Sequence, residues 1–135
     1  MELTNFHLEQ SICAVGLGCV WDLHNVCDFA GIELLPKEGA ARLRWIVLHS
    51  LIPEVARQEG QRGVSSCAIR FDGVSAISAA VSRSRTDLRN ATTLDQVSLV
   101  SRPAGSAMLF EFMDGFDIEI VAATATLETE PPSDP

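Results

Sequence analysis

Residues 108–124 read MLFEFMDGFDIEIVAAT, an apolar–polar alternation broken once, at Met113-Asp114-Gly115. Alternation with period two puts successive side chains on opposite faces of a strand, so this stretch predicts a β-hairpin with one buried face. The turn decides the register. A two-residue Asp-Gly turn would pair Phe112 with Asp117 and mix core with solvent. A three-residue loop with Gly115 left-handed pairs Phe112 with Phe116 and Phe110 with Ile118. That register keeps one face apolar and is the one expected. It also gathers Glu111, Asp117 and Glu119 on the outer face. Like charges opposite or diagonal on a strand pair repel, and a surface that carries this cost is a candidate binding face.

The same period recurs upstream. Cys13, Val15, Leu17, Cys19, Trp21 and Leu23 alternate with Ala14, Gly16, Gly18, Val20, Asp22 and His24, which predicts a strand from about residue 12, bent at its glycines. Val26–Leu35, the turn Pro36-Lys37-Glu38-Gly39 and ARLRWIVL predict a second hairpin over 28–48. A helix over 40–51 competes, because Leu43, Val47 and Leu51 share a helical face. Pro53 suits the start of one or two helical turns ended by Gly60 and Gly63. Cys67, Ile69 and Phe71 share a face whose parity continues through Ile77, Ala79 and Val81. Asp72-Gly73 between them marks a hairpin turn or a bulge in one long bent strand. Val97, Leu99 and Ser101 predict a short strand broken by Pro103 and Gly105.

The expected fold is mainly β: a single-domain antiparallel sandwich or partly open barrel of about seven to nine strands, with at most one or two short helices. The domain is expected over 1–127, and the acidic, Pro-rich stretch 128–135 is expected to be disordered. The expected core is Val15, Leu17, Cys19, Trp21, Leu43, Trp45, Val47, Ile69, Phe71, Ile77, Val81, Phe110, Phe112, Phe116, Ile118 and Ile120.

Charge is distributed unevenly. Residues 1–102 hold all ten Lys and Arg against eleven Asp and Glu, whereas 103–135 hold seven acids and no Lys or Arg. A net charge of −8 argues against nucleic acid and against an anionic membrane surface, since both need a basic face. An acidic C-terminal third can instead meet a basic protein. The plainer reading is a solvated face. No basic residue precedes Lys37, and the apolar run 11–21 is too short to span a bilayer, so no secretory signal or membrane span is expected and the chain reads as cytoplasmic.

CVWDLHNVCDF, residues 19–29, looks the most chemical. Structural zinc sites favour paired ligands such as C-x2-C, and the cysteines here stand at 13, 19, 27 and 67. Strand geometry sends Cys19 and His24 to opposite faces. The expected reading is a core strand that runs into a turn at Asp22–Asn25, with no metal site and no cofactor. There is no GxSxG elbow, P-loop or GxGxxG, and no catalytic residue is assigned. The alternative is a small-molecule-binding protein or hydrolase-type enzyme with a site near Asp22 and His24. Arg83, Arg85 and Arg89 form a basic cluster expected to pair with Asp87 and the acidic hairpin.

The order of parts resembles a family. WDLHN opens the domain, followed by a hairpin ending in ARLRW, then CAIRFDGVSAI, a polar stretch and FEFMDGFDIEIVAATATLE. Across about residues 20–127 this resembles small β-rich bacterial immunity proteins of polymorphic toxin systems and related proteins of unknown function. The resemblance implies a non-enzymatic protein whose partner is a toxin. An acidic inhibitor facing a basic nuclease toxin fits the charge distribution, with Glu111, Asp117 and Glu119 as binding residues. A homodimer in which one edge strand covers its twin is a further expectation.

Overall fold

The computed structural model describes residues 1–81, 92–113 and 115–132. Among these, twelve strands and four single turns of 3₁₀ helix form three sheets. The first sheet runs β1 (Glu2–Leu3), β12 (Thr124–Glu130), β7 (Ser66–Asp72), β6 (Ala40–Val47), β5 (Cys27–Leu35). The second runs β8 (Ala76–Val81), β11 (Phe116–Val121), β10 (Gly105–Phe112), β9 (Leu94–Arg102). A small third sheet holds β2 (Phe6–Glu9), β3 (Cys13–Gly16) and β4 (Cys19–Asp22). Only β1 and β12 pair in parallel; every other pairing is antiparallel. The fold is a mainly-β sandwich, and no sheet closes into a barrel.

The C-terminal hairpin has the expected register. Phe110 pairs with Ile118, Glu111 with Asp117 and Phe112 with Phe116. Gly115 sits at φ 79°, the left-handed conformation this loop needs. The hairpin over 28–48 also forms. Its turn is a 3₁₀ turn at Pro36–Glu38 closed by Gly39, whose N–H donates to Pro36 O at 3.1 Å. Between helix and strand at residues 40–51, strand prevails. Leu43, Trp45 and Val47 are buried while Arg42 and Arg44 reach across to Glu128 and Glu130. Neighbouring strands on both sides satisfy the β6 backbone, which a lone helical face could not match.

One layer of aromatic contacts ties the two large sheets together. Trp45 packs on Phe110 with centroids 5.7 Å apart, Phe29 on Phe112 at 4.6 Å, and Phe71 edge-on to Phe110 at 6.1 Å. A single cluster of buried residues runs from Phe6 to Leu127.

The twelve strands exceed the seven to nine expected, because bends and tight turns divide stretches read as single strands, and five further expectations change. First, residues 13–23 are not one strand. The chain reverses at Leu17 (φ 56°) and Gly18 (φ 76°), and Gly16 pairs with Cys19. Reversal inverts the parity upstream of the turn, so Ala14 faces the core while Val15 is half-buried and Leu17 is 48% exposed. Second, Asp72-Gly73 is neither a hairpin nor a bulge. It is a corner at which the chain leaves the first sheet for the second, held by the Ala123 N–H, which donates to Asp72 O at 3.0 Å. A Cβ on Gly73 would lie 2.8 Å from Ala123 Cβ.

Third, Ile77 and Val81 leave the core. Their parity is right, since they pair with Ile120 and Phe116. However, β8 is an edge strand exposed along its whole length, and Phe116 is only half-buried. Fourth, residues 128–130 are not disordered but complete β12. Glu130 pairs with Ser66, and Arg42 and Arg44 fix the two glutamates. A backbone ladder plus ion pairs orders a stretch that has no apolar anchor; residues 133–135 lie outside the described ones. Fifth, β9 is longer than the short strand expected around Val97, and Gly105 opens β10 instead of only breaking β9.

Candidate functional site

Glu111, Asp117 and Glu119 do share the outer face of the second sheet, because each alternates with a buried apolar neighbour. They are not equivalent. Glu119 is held by the Arg102 guanidinium, with contacts of 2.9 Å from Nε and 2.6 Å from Nη2. Glu111 accepts a hydrogen bond from the Gln96 side chain across the β9–β10 pair. Asp117 has no hydrogen-bond donor and no cation as a partner among the described residues. Partial burial, and next the charge of Glu111 opposite it, push its carboxyl above the ordinary range. The strand beside it offers nothing ionic: Ala80 lies opposite Asp117 and Ser78 opposite Glu119. Asp117 is therefore a partly desolvated carboxylate set between the like charge of Glu111 on β10 and the uncharged Ala80 on β8.

The uneven distribution of charge along the chain is partly offset in space, with three of the seven C-terminal acids paired to arginines among the described residues. Three basic residues of the stretch 1–102 fold onto acids of 103–135: Arg42 onto Glu128 at 3.0 Å, Arg44 onto Glu130 at 3.2 Å and Arg102 onto Glu119. Arg70 likewise pairs with Asp72 at 3.2 Å. No periodicity rule reveals this, since the partners are brought together by sheet order. Glu111 and Asp117 remain as the C-terminal acids without a cation among the described residues. Arg83, Arg85, Arg89 and Asp87 lie outside the described residues.

CVWDLHNVCDF runs from β4 through a turn built by Asp22 into the start of β5. Its Oδ1 accepts the backbone N–H of His24 at 3.0 Å and of Asn25 at 2.8 Å, and Asn25 Nδ2 donates to Oδ2 at 2.8 Å. This is the Asx geometry that short polar side chains favour. His24 Nδ1–H donates to Leu94 O at 2.5 Å and so ties this turn to β9. Both candidate residues of the alternative site are engaged in holding the fold. No group of three or more His, Cys, Asp and Glu suited to a metal occurs among the described residues. All four cysteines are buried and unbridged. Burial raises the thiols of Cys13 and Cys19, and the Cys13 thiol is raised further by the charges of Asp22 and Glu9. Cys27 is raised by its hydrogen bond to Cys67 and by burial. These are thiols, not thiolate nucleophiles.

Sequence reasoning missed a polar clamp and a cavity. Gln58 Oε1 accepts the Val20 N–H at 2.9 Å, and Gln61 Nε2 donates to Val20 O at 2.9 Å. Two side-chain amides thus bond the β4 edge as a neighbouring strand would. The segment that carries them walls a cavity of about 690 Å³ together with His49, Glu54, Arg57, Arg62, Ser65 and Pro132. The only signal for it was the pair of glutamines three residues apart, interleaved with Gly60 and Gly63.

A scan against protein-family models gives no match. A search of curated proteins finds no relative. No helix among the described residues is long and apolar enough to cross a membrane.

Proposed function

We propose that the chain is a non-enzymatic bacterial interaction protein of the immunity type, which works in the cytoplasm by binding a basic protein on the outer face of β10 and β11. The observation that carries this reading is Asp117. A half-buried carboxylate without a partner among the described residues, held beside Glu111, costs stability, and a cation arriving from outside would relieve both the desolvation and the repulsion. Glu119 contributes less, because Arg102 already neutralises it. The uncharged flank of β8 leaves room for a partner's apolar side chains around a salt bridge. The alternative site at Asp22 and His24 has less support, since the fold uses both polar groups.

The test is to recover a basic protein that co-purifies with the chain and measure its affinity as salt and sequence are varied. Binding should weaken between low and high ionic strength and fall at least about tenfold in the Asp117→Lys/Glu119→Lys variant. Unchanged affinity in that variant would remove this face from the interaction.

A further inference from the structure

The cavity beside the 49–65 segment is unrelated to the acidic face, and its chemistry is different. Most of its neutral polar groups are already engaged. Gln58 and Gln61 are locked on Val20 and on each other, with the Gln58 N–H donating to Gln61 Oε1 at 3.1 Å. His49 Nε2–H donates to Val64 O at 2.6 Å, which leaves Nδ1 as an acceptor. Ser65 Oγ is bonded to Pro131 O at 2.9 Å, which holds the end of β12 against the cavity. What remains unspent is ionic. Arg57 uses one N–H, from Nη2 to His49 O at 3.3 Å, and keeps its other donors. Arg62 meets Glu59 at 3.5 Å, with both side chains mostly in water, which is a weak contact. The Glu54 carboxylate has no partner among the described residues. In a chain of net charge −8, residues 49–65 carry two Arg against two Glu and are neutral. The volume lies within the range of small-ligand sites.

We propose that this cavity binds a small molecule that bears an oxyanion, phosphate or carboxylate, for Arg57 and Arg62, together with an amine or hydroxyl donor for Glu54. Planar guanidiniums present several donors and suit such oxyanions. The locked glutamines and His49 hold the wall in place before the ligand arrives, so the ordering cost of binding is confined to the exposed side chains of Glu54, Arg57 and Arg62.

The experiment is an NMR titration of the full chain at fixed ionic strength with two probes, O-phosphoserine and inorganic phosphate. The expected result is saturable shifts in the amides of residues 57–65, with O-phosphoserine bound at least about tenfold more tightly than phosphate. Arg57 and Arg62 are exposed, so Arg57→Gln/Arg62→Gln keeps the fold and should lose at least about tenfold in affinity. Glu54→Gln should narrow the difference between the probes. Absence of saturation, equal affinity for the two probes, or unchanged affinity in the double-arginine variant would each overturn the assignment.

Discussion

The C-terminal hairpin (β10–β11) and the N-terminal hairpin (β3–β4) are built from the same elements, and only the first announces its turn. In β10–β11 one parity is apolar and the other carries Glu111, Asp117 and Glu119, so a one-residue slip would bury charge. In β3–β4 both parities are apolar up to the turn: Cys13, Ala14, Val15, Gly16, Leu17. No polar member marks the reversal there. The turn residues differ as well. Gly115 takes its left-handed φ without strain, whereas Leu17 takes φ 56° ahead of Gly18. Two left-handed central residues match a type I′ turn, for which Asn-Gly is the preferred pair and Leu an unusual first residue. A turn is legible when its chemistry and the faces around it agree.

The largest effects should test whether the two hairpins belong to one cooperative unit. Phe110→Ala in β10 and Trp21→Ala in β4 each remove a fully buried aromatic side chain and should cost about 3–5 kcal/mol in chemical denaturation, within one transition. A second transition in either variant would separate the small sheet from the sandwich. The turn variants should have opposite signs. Gly115→Ala should cost about 1–2 kcal/mol, while Leu17→Asn, at an exposed site, should stabilise by about 0.5–1 kcal/mol. Destabilisation by Leu17→Asn would mean that the Leu17 side chain is held by contacts that outweigh its backbone strain.

The smallest effect concerns the outer face. Asp117 has a raised carboxyl in the folded chain, so its ionisation opposes folding. Stability from this residue is greatest when it is protonated and declines as pH rises from the ordinary carboxylate range through the raised value. Asp117→Asn should therefore stabilise by a few tenths of a kcal/mol at neutral pH. That gain should vanish on acidification below the ordinary carboxylate range. A gain that is independent of pH would assign the effect to something other than charge.

Much of the fold was legible because strand parity is local. The pairings of Phe110, Phe112, Phe116 and Ile118 follow from nine consecutive positions, Gly115 among them. The same logic failed for Ile77 and Val81, where parity was right but burial depends on whether the facing sheet extends that far. It failed again for Glu128 and Glu130, whose order comes from Arg42 and Arg44 some eighty-six residues away. The three acids of the outer face were legible as a group. Their inequality was not, because Arg102 on β9 reaches Glu119 on β11 only once β10 lies between the two strands. The Gln58–Gln61 clamp on Val20 joins residues about forty apart and has no periodic signature.

The central claim is that the outer face carrying Asp117 binds a basic protein. Native mass spectrometry of the untagged chain from its own cell lysate, beside the Asp117→Lys/Glu119→Lys variant, tests it most directly. The predicted result is a second, basic protein chain retained at low salt, shed at high salt and missing from the variant. The same chain retained equally by the variant, or a bound small molecule with no protein partner at any salt, would contradict it.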